Sequence, residues 1–221
     1  MDKMEILRMS VIEGLASKFK GAEWANFVTI EQIADVMLES LGLTKPVYTL
    51  ELKSLGKMGN PEKVSGYWDI YAVCGSKQVP IPFATKVSKV LFTFFMLHPG
   101  KEFSLAGLQK YHGEFKRIAL ALYTDSSVPH TLQTLQWAED IAKRLSSRHG
   151  LNDEGSNDER SVAFSKAKKA IQKVIGSAPG NYVIQVTKGS QKRMLPLSAQ
   201  QICVPDAFRD EVIDWQGGFA A

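Results

Sequence analysis

Between Arg160 and Pro205 the chain carries Arg160, Lys166, Lys168, Lys169, Lys173, Lys188, Lys192 and Arg193, and no Asp or Glu. These are 8 of its 27 basic residues, which leaves 19 basic against 23 acidic residues elsewhere. The whole positive excess of a chain of net charge +4 therefore sits in one stretch. Cations gathered in this way do one kind of chemistry well, the neutralisation of a polyanion such as a phosphate backbone. Ser165, Lys166, Lys169, Gln172 and Lys173 are the candidates to face a nucleic-acid groove, and Lys188, Lys192 and Arg193 the candidates to hold phosphates. The plainer alternative is a solvated amphipathic helix followed by an ordinary hairpin.

Other chemistry finds less support. His98, His112, His130 and His149 are scattered, with no H-E-x-x-H and no paired cysteines, so no metal site is expected. There is no G-x-S-x-G, no Walker A lysine loop and no G-x-G-x-x-G. Asp69 and Asp125 have no special spacing, and Glu139 and Asp140 are adjacent, so they do not share a helical face. His98, before Pro99, reads as a helix-terminal residue beside the last carbonyls. Gly56 to Gly59 spell the GxxG that clamps nucleotide backbones in KH domains, but a strand precedes it and Pro61 follows, so it reads as a turn. The expectation is a protein that is not an enzyme and carries no cofactor.

The elements that must position the basic residues follow from periodicity. Ser156 and Glu159 form an S-x-x-E capping box. Ala163, Phe164, Ala167, Ala170, Ile171, Val174 and Ile175 then fill one arc of a helix, and Ser161, Ser165, Lys166, Lys168, Lys169, Gln172 and Lys173 the other. Gly176 and Pro179-Gly180 end it. Tyr182 to Val186 reads as a strand, Lys188-Gly189-Ser190 as a turn, and Lys192 to Leu197 as the returning strand.

Upstream, Met4, Leu7, Val11, Leu15 and Phe19 mark a first amphipathic helix, and the box Thr29 to Gln32 opens a second that closes at Gly42. Val47 to Leu52, Gly66 to Val73 and Gln78 to Phe83 read as strands, the last at an edge because of Pro80 and Pro82. Thr85 to Leu97 is the most apolar helix, broken by His98-Pro99-Gly100. Glu102 to Ser104 is short and extended, and Ser104 caps a helix with Leu105, Leu108, Tyr111, Phe115, Ile118 and Leu122 inward. Pro129 to Arg148 reads as another helix, carrying Leu132, Leu135, Trp137, Ala138, Ile141 and Leu145. Residues 150–156 form a hydrophilic connector, and Ala207, Phe208, Val212, Ile213 and Trp215 a short amphipathic tail.

With 44% hydrophobic and 23% charged residues, the composition is that of a soluble globular chain long enough for one or two domains. No run of about 18 apolar residues is present, so no membrane span is expected. The charged start, Met1 to Glu5, lacks a following apolar core, so no signal peptide is expected. Cys74 and Cys203 read as free thiols of a cytoplasmic protein, with a single disulfide between them as the alternative.

The order of strands, apolar helix, short strand, helix, basic helix and hairpin resembles the winged-helix effector domain of OmpR/PhoB-type response regulators. Leu91 to Leu108, with its His98-Pro99-Gly100 turn, is similar to that family's first helix, short strand and capped second helix. Val162 to Val174 is similar to its recognition helix, and Tyr182 to Gly189 to its wing. There is also a similarity to uncharacterised bacterial winged-helix proteins. The likeness covers residues 46–200, roughly two-thirds of the chain. It departs in the inserted helix at about 129–148, in Gln191-Lys192-Arg193 where the wing aromatic normally stands, and in the absence of a receiver domain. The resemblance implies an α+β fold, a winged helix-turn-helix with a preceding small antiparallel sheet and extra N-terminal and inserted helices. It divides the chain into a helical segment (1–45), the winged-helix-like domain (46–200) and a tail (201–221). The function it implies is duplex DNA binding in transcription regulation. The alternative is a winged-helix scaffold for a protein partner or a homodimer.

Overall fold

A computed structural model describes residues 3–18, 33–34, 37, 47–147, 159–176, 180–187, 189–190 and 192–213. The chain divides into two compact units, residues 1–47 and 48–221. In the first, helix α1 spans Lys3–Lys18. Leu7, Val11, Ile12 and Leu15 are half-buried in it, while Ile6 and Met9 are exposed. The capping box Thr29 to Gln32 and the expected position of Phe19 lie outside the described residues.

The second unit is mixed α+β. Strand β1 (Thr49–Ser54) alternates so that Leu50 and Leu52 are buried, and β2 (Trp68–Cys74) buries Trp68, Ile70 and Ala72. They pair antiparallel with Leu50 opposite Ala72 and Leu52 opposite Ile70, so both apolar sets share one face. Strand β3 (Lys77–Pro80) lies at the edge, as Pro80 requires. A fourth strand, β6 (Ile202–Cys203), joins the opposite side of β1 in parallel, with Leu50 level with Ile202. The sheet is therefore mixed rather than antiparallel: Ile202 and Val204 bury their side chains in the core and bring the late chain back alongside β1.

Helix α2 (Lys86–Leu97) is the hub. The Thr85 hydroxyl caps it by accepting from the Ser88 N–H, and every residue from Ser88 to Met96 is buried. A helix apolar on all sides must be enclosed on all sides, and α2 meets α3 (His112–Tyr123), α4 (Leu132–Ser146) and α5 (Glu159–Ile175). Phe94 anchors this centre, with the rings of Phe95, Phe103, Tyr111 and Phe115 at 4.7–5.5 Å from its own. The expected helix after Ser104 begins differently. The Ser104 hydroxyl accepts from Gly107 N–H at the head of a 3-10 turn, Gly107–Tyr111, and the α-helix itself starts at His112.

Helix α4 is capped by Thr131, which accepts from Thr134 N–H, so Pro129 and His130 precede it. Leu132 stands in its first turn with 87% of its surface exposed. Ala138, Ile141, Ala142 and Leu145 supply the buried face. Residues 202–213, expected to lie in a tail, instead contribute β6 and helix α6 (Asp206–Ile213), which packs on α3. Phe208 of α6 is fully buried edge-on to Trp68, 5.3 Å between ring centres. Trp215 lies outside the described residues.

One cation is sealed into this core. Lys89 has no exposed surface, and its Nζ lies 2.8 Å from Asp69 Oδ1. It donates to the carbonyls of Ser65 (2.6 Å), Trp68 (2.5 Å) and Val64 (3.3 Å). Burial pulls its pKa down to about 8, with the attraction and hydrogen bond of Asp69 opposing. Tyr123 completes the cluster by donating to the Val64 carbonyl at 2.8 Å. Together they pin the β1–β2 connection to α2 and α3.

Candidate nucleic-acid interface

Helix α5 separates its two arcs as its sequence requires. Ala163, Phe164, Ala167, Ala170 and Ile171 are buried against the hub, and Val174 and Ile175 are half-buried. Ser165, Lys168, Lys169 and Lys173 are exposed. Spacings of three and four residues place Ser165, Lys168, Lys169, Gln172 and Lys173 on one face. Gln172 is half-buried there. Among the described residues no carboxylate pairs with Lys168, Lys169 or Lys173, so their ammonium groups remain available to an outside anion. Lys166 sits to one side, half-buried in a groove that it lines with Thr85, Val87, Arg144 and Glu159. Arg160 does not contribute to the open face. It is buried, and its guanidinium donates to the Leu105 carbonyl at 3.0 Å.

The hairpin is shorter than its sequence suggests. Strands β4 (Gln185–Val186) and β5 (Arg193–Met194) pair antiparallel, and Thr187 N–H bonds the Lys192 carbonyl across the loop. Tyr182 leaves the strand for a 3-10 turn, where its hydroxyl accepts from Tyr48 N–H at 2.8 Å. The segment after α2 completes a small sheet on the other side of β5. Phe103 and Arg193 exchange both backbone bonds, at 2.9 and 2.8 Å, and Gly100 N–H bonds the Leu195 carbonyl. Arg193 also lays its guanidinium 4.3 Å from the centre of the Phe164 ring, tying the hairpin to α5. This is a packing role as well as a charge. Lys192 is exposed and lies 3.3 Å from Glu102, a surface pair weak enough for a phosphate to compete with. Lys188 lies outside the described residues. Lys168 is exposed on the same face although it was not among the residues expected to touch nucleic acid; its four-residue spacing from Gln172 is the signal for it.

The structure also assembles a Ser–His–Glu line that sequence spacing did not reveal. His112 Nδ1 shares a 2.8 Å hydrogen bond with Ser146 Oγ, and its Nε2 lies 2.8 Å from Glu139. Lys116 lies 3.0 Å from the other Glu139 oxygen. Its hydrogen bond is the main cause that holds the carboxyl below its ordinary pKa. Ser146 is only 4% exposed and its hydroxyl is also 2.8 Å from the Ala142 carbonyl. A nucleophile must be reachable by substrate, so this line acts as a polar clip between α3 and α4. No group of three or more His, Cys, Asp or Glu among the described residues could hold a metal ion. Nor is any helix among them long and apolar enough to cross a membrane. Compared with family models, curated proteins and solved structures, the chain matches none of them.

Proposed function

We propose that this chain is a winged-helix DNA-binding protein that acts in transcription regulation. The observation that carries the reading is the junction of α5 and the β4–β5 hairpin through Arg193 and Phe164, with Lys168, Lys169 and Lys173 open beside it. The order α2, short strand at Phe103, α3, α5 and hairpin supports it, with α4 as an insertion. Helix α5 enters the major groove, where Ser165 and Gln172 offer hydrogen bonds to base edges and the lysines neutralise phosphates. Lys192 extends the phosphate contacts along the hairpin. A lysine-rich face gives strong, salt-sensitive binding with modest discrimination among bases.

Anisotropy titrations of the full chain with a mixed-sequence duplex, repeated over a range of salt, test this. The logarithm of affinity should fall linearly with the logarithm of salt, and Lys169→Glu/Lys173→Glu should flatten the slope by about 2, roughly 0.9 for each lost phosphate contact. Binding that is undetectable, or indifferent to salt, overturns the proposal. A second reading, a winged-helix scaffold for a protein partner, draws on Val128 and Leu132, 56% and 87% exposed beside the start of α4. It expects the same double substitution to leave partner binding unchanged.

A further inference from the structure

A cleft of about 610 Å³ opens where the β1–β2 connection meets the end of α3 and the start of α4. That volume is in the range that small ligands occupy. Tyr67, Tyr123 and Trp137 line it with aromatic surface, and His130, Thr131 and Thr134 with polar groups. Tyr123 and Trp137 meet edge to face, 5.5 Å between centres. The Lys86 ammonium lies 5.0 Å from both ring centres and donates to the Pro61 carbonyl.

An aromatic pair of this kind attracts ammonium ligands, but here the chain's own lysine holds the place. A cationic ligand would have to displace it. An anion has the opposite prospect. Lys86 is partly stripped of water, which lowers its pKa despite the attraction of Glu62, and an ammonium has two further hydrogens after its bond to Pro61. Two carboxylates stand at the rim. Asp125 accepts from the Ser127 N–H and hydroxyl at one oxygen, Oδ1, within its own turn. Glu62 attracts Lys86 without forming a direct ion pair. The amino end of α4, at Thr131, adds the positive pole of a 15-residue helix.

We propose that the cleft binds a small planar aromatic carboxylate, its ring against Tyr67 and Trp137 and its carboxylate on Lys86. The site is independent of DNA binding, and its test needs no DNA. Indole-3-acetate, indole-3-acetamide and tryptamine share a ring and differ in charge. Calorimetric titration of the full chain with each, with NMR shift mapping, should rank them acid first, amide at least tenfold weaker and amine weakest. The shifts should gather at Tyr67, Lys86, Tyr123 and Trp137. Lys86→Gln should bring acid and amide level, and Trp137→Leu should weaken both. If either variant fails to fold, the order of the three probes on the native chain decides alone. Equal binding of acid and amide, a preference for tryptamine, shifts centred elsewhere, or no saturable binding by the acid overturns the proposal.

Discussion

Replacing Lys89 with Met keeps the length of the side chain and removes its charge. Asp69, with 13% of its side chain exposed, then loses its counter-ion, and the carbonyls of Val64, Ser65 and Trp68 lose a donor. Removing one partner of a buried ion pair costs about 3–5 kcal/mol. Asp69 keeps a bond from Ile70 N–H at 3.0 Å, and burial already disfavours the ammonium that leaves, so the expected loss lies at the lower end, about 3 kcal/mol, and is carried by the three carbonyls left without a donor. Adding Asp69→Asn removes the stranded charge, so the double variant should be more stable than the sum of the single losses. Urea unfolding followed by tryptophan fluorescence measures all three. The cluster also fixes a pH dependence. Lys89 titrates near 8 in the fold and at 10.5 when unfolded, so the unfolded chain binds more protons between those values. Stability therefore rises with pH over that window and is lost as pH falls through 8. The Tyr123 phenol is pushed up by burial first and Asp69 second, so its own contribution declines only above pH 10.0. Between pH 8 and 10 the advantage of the native chain over Lys89→Met should grow by about 2 kcal/mol. A loss under about 1 kcal/mol at neutral pH, set against the range for buried pairs, would refute the reasoning. So would a difference between the two chains that stays flat with pH.

Two further perturbations read other contacts. Gly66 has φ +63°, and an added Cβ would fall 2.3 Å from the Leu122 carbonyl oxygen, which accepts from Tyr67 N–H. Gly66→Ala should cost about 2–4 kcal/mol. Gly75→Ala, at φ +57° with nothing within 4 Å, should cost about 1 kcal/mol; equal shifts in urea midpoint would contradict this. Glu139 is held below its ordinary pKa of 4.5, chiefly by the Lys116 hydrogen bond, so its stabilisation is full above pH 4.5 and disappears as pH falls through the folded value. Thermal melts should show Glu139→Gln less stable than the native chain at neutral pH and level with it in acid.

The helices and the first three strands were legible because their apolar residues recur at fixed periods. Thr85 to Leu97 differs from α2 only at its cap, and the arcs of α5 fall where the lysines and alanines put them. What the sequence hid was placed by distant chain. Lys89 reads as a surface residue, and only its company in a helix buried from Ser88 to Met96 hints otherwise. Arg160 counts toward the basic stretch, yet Leu105 draws it inward. Strand β6 is two residues long, with no periodicity to detect, and exists through its pairing with β1. The cleft at Lys86 needs Pro61, Tyr123 and Trp137 to converge, which no local pattern encodes. The Ser104 cap was visible, but the 3-10 turn that follows it, Gly107–Tyr111, was not.

The parallel pairing of Leu50 with Ile202 bears on how the protein is made. During synthesis β1 emerges long before β6 and keeps one hydrogen-bonding edge bare until β6 has followed it. Closing so large a loop is slow, and an unpaired edge invites other chains to add to it. Nascent molecules halted between Met194 and Ile202 should thus be the species that chaperones hold longest.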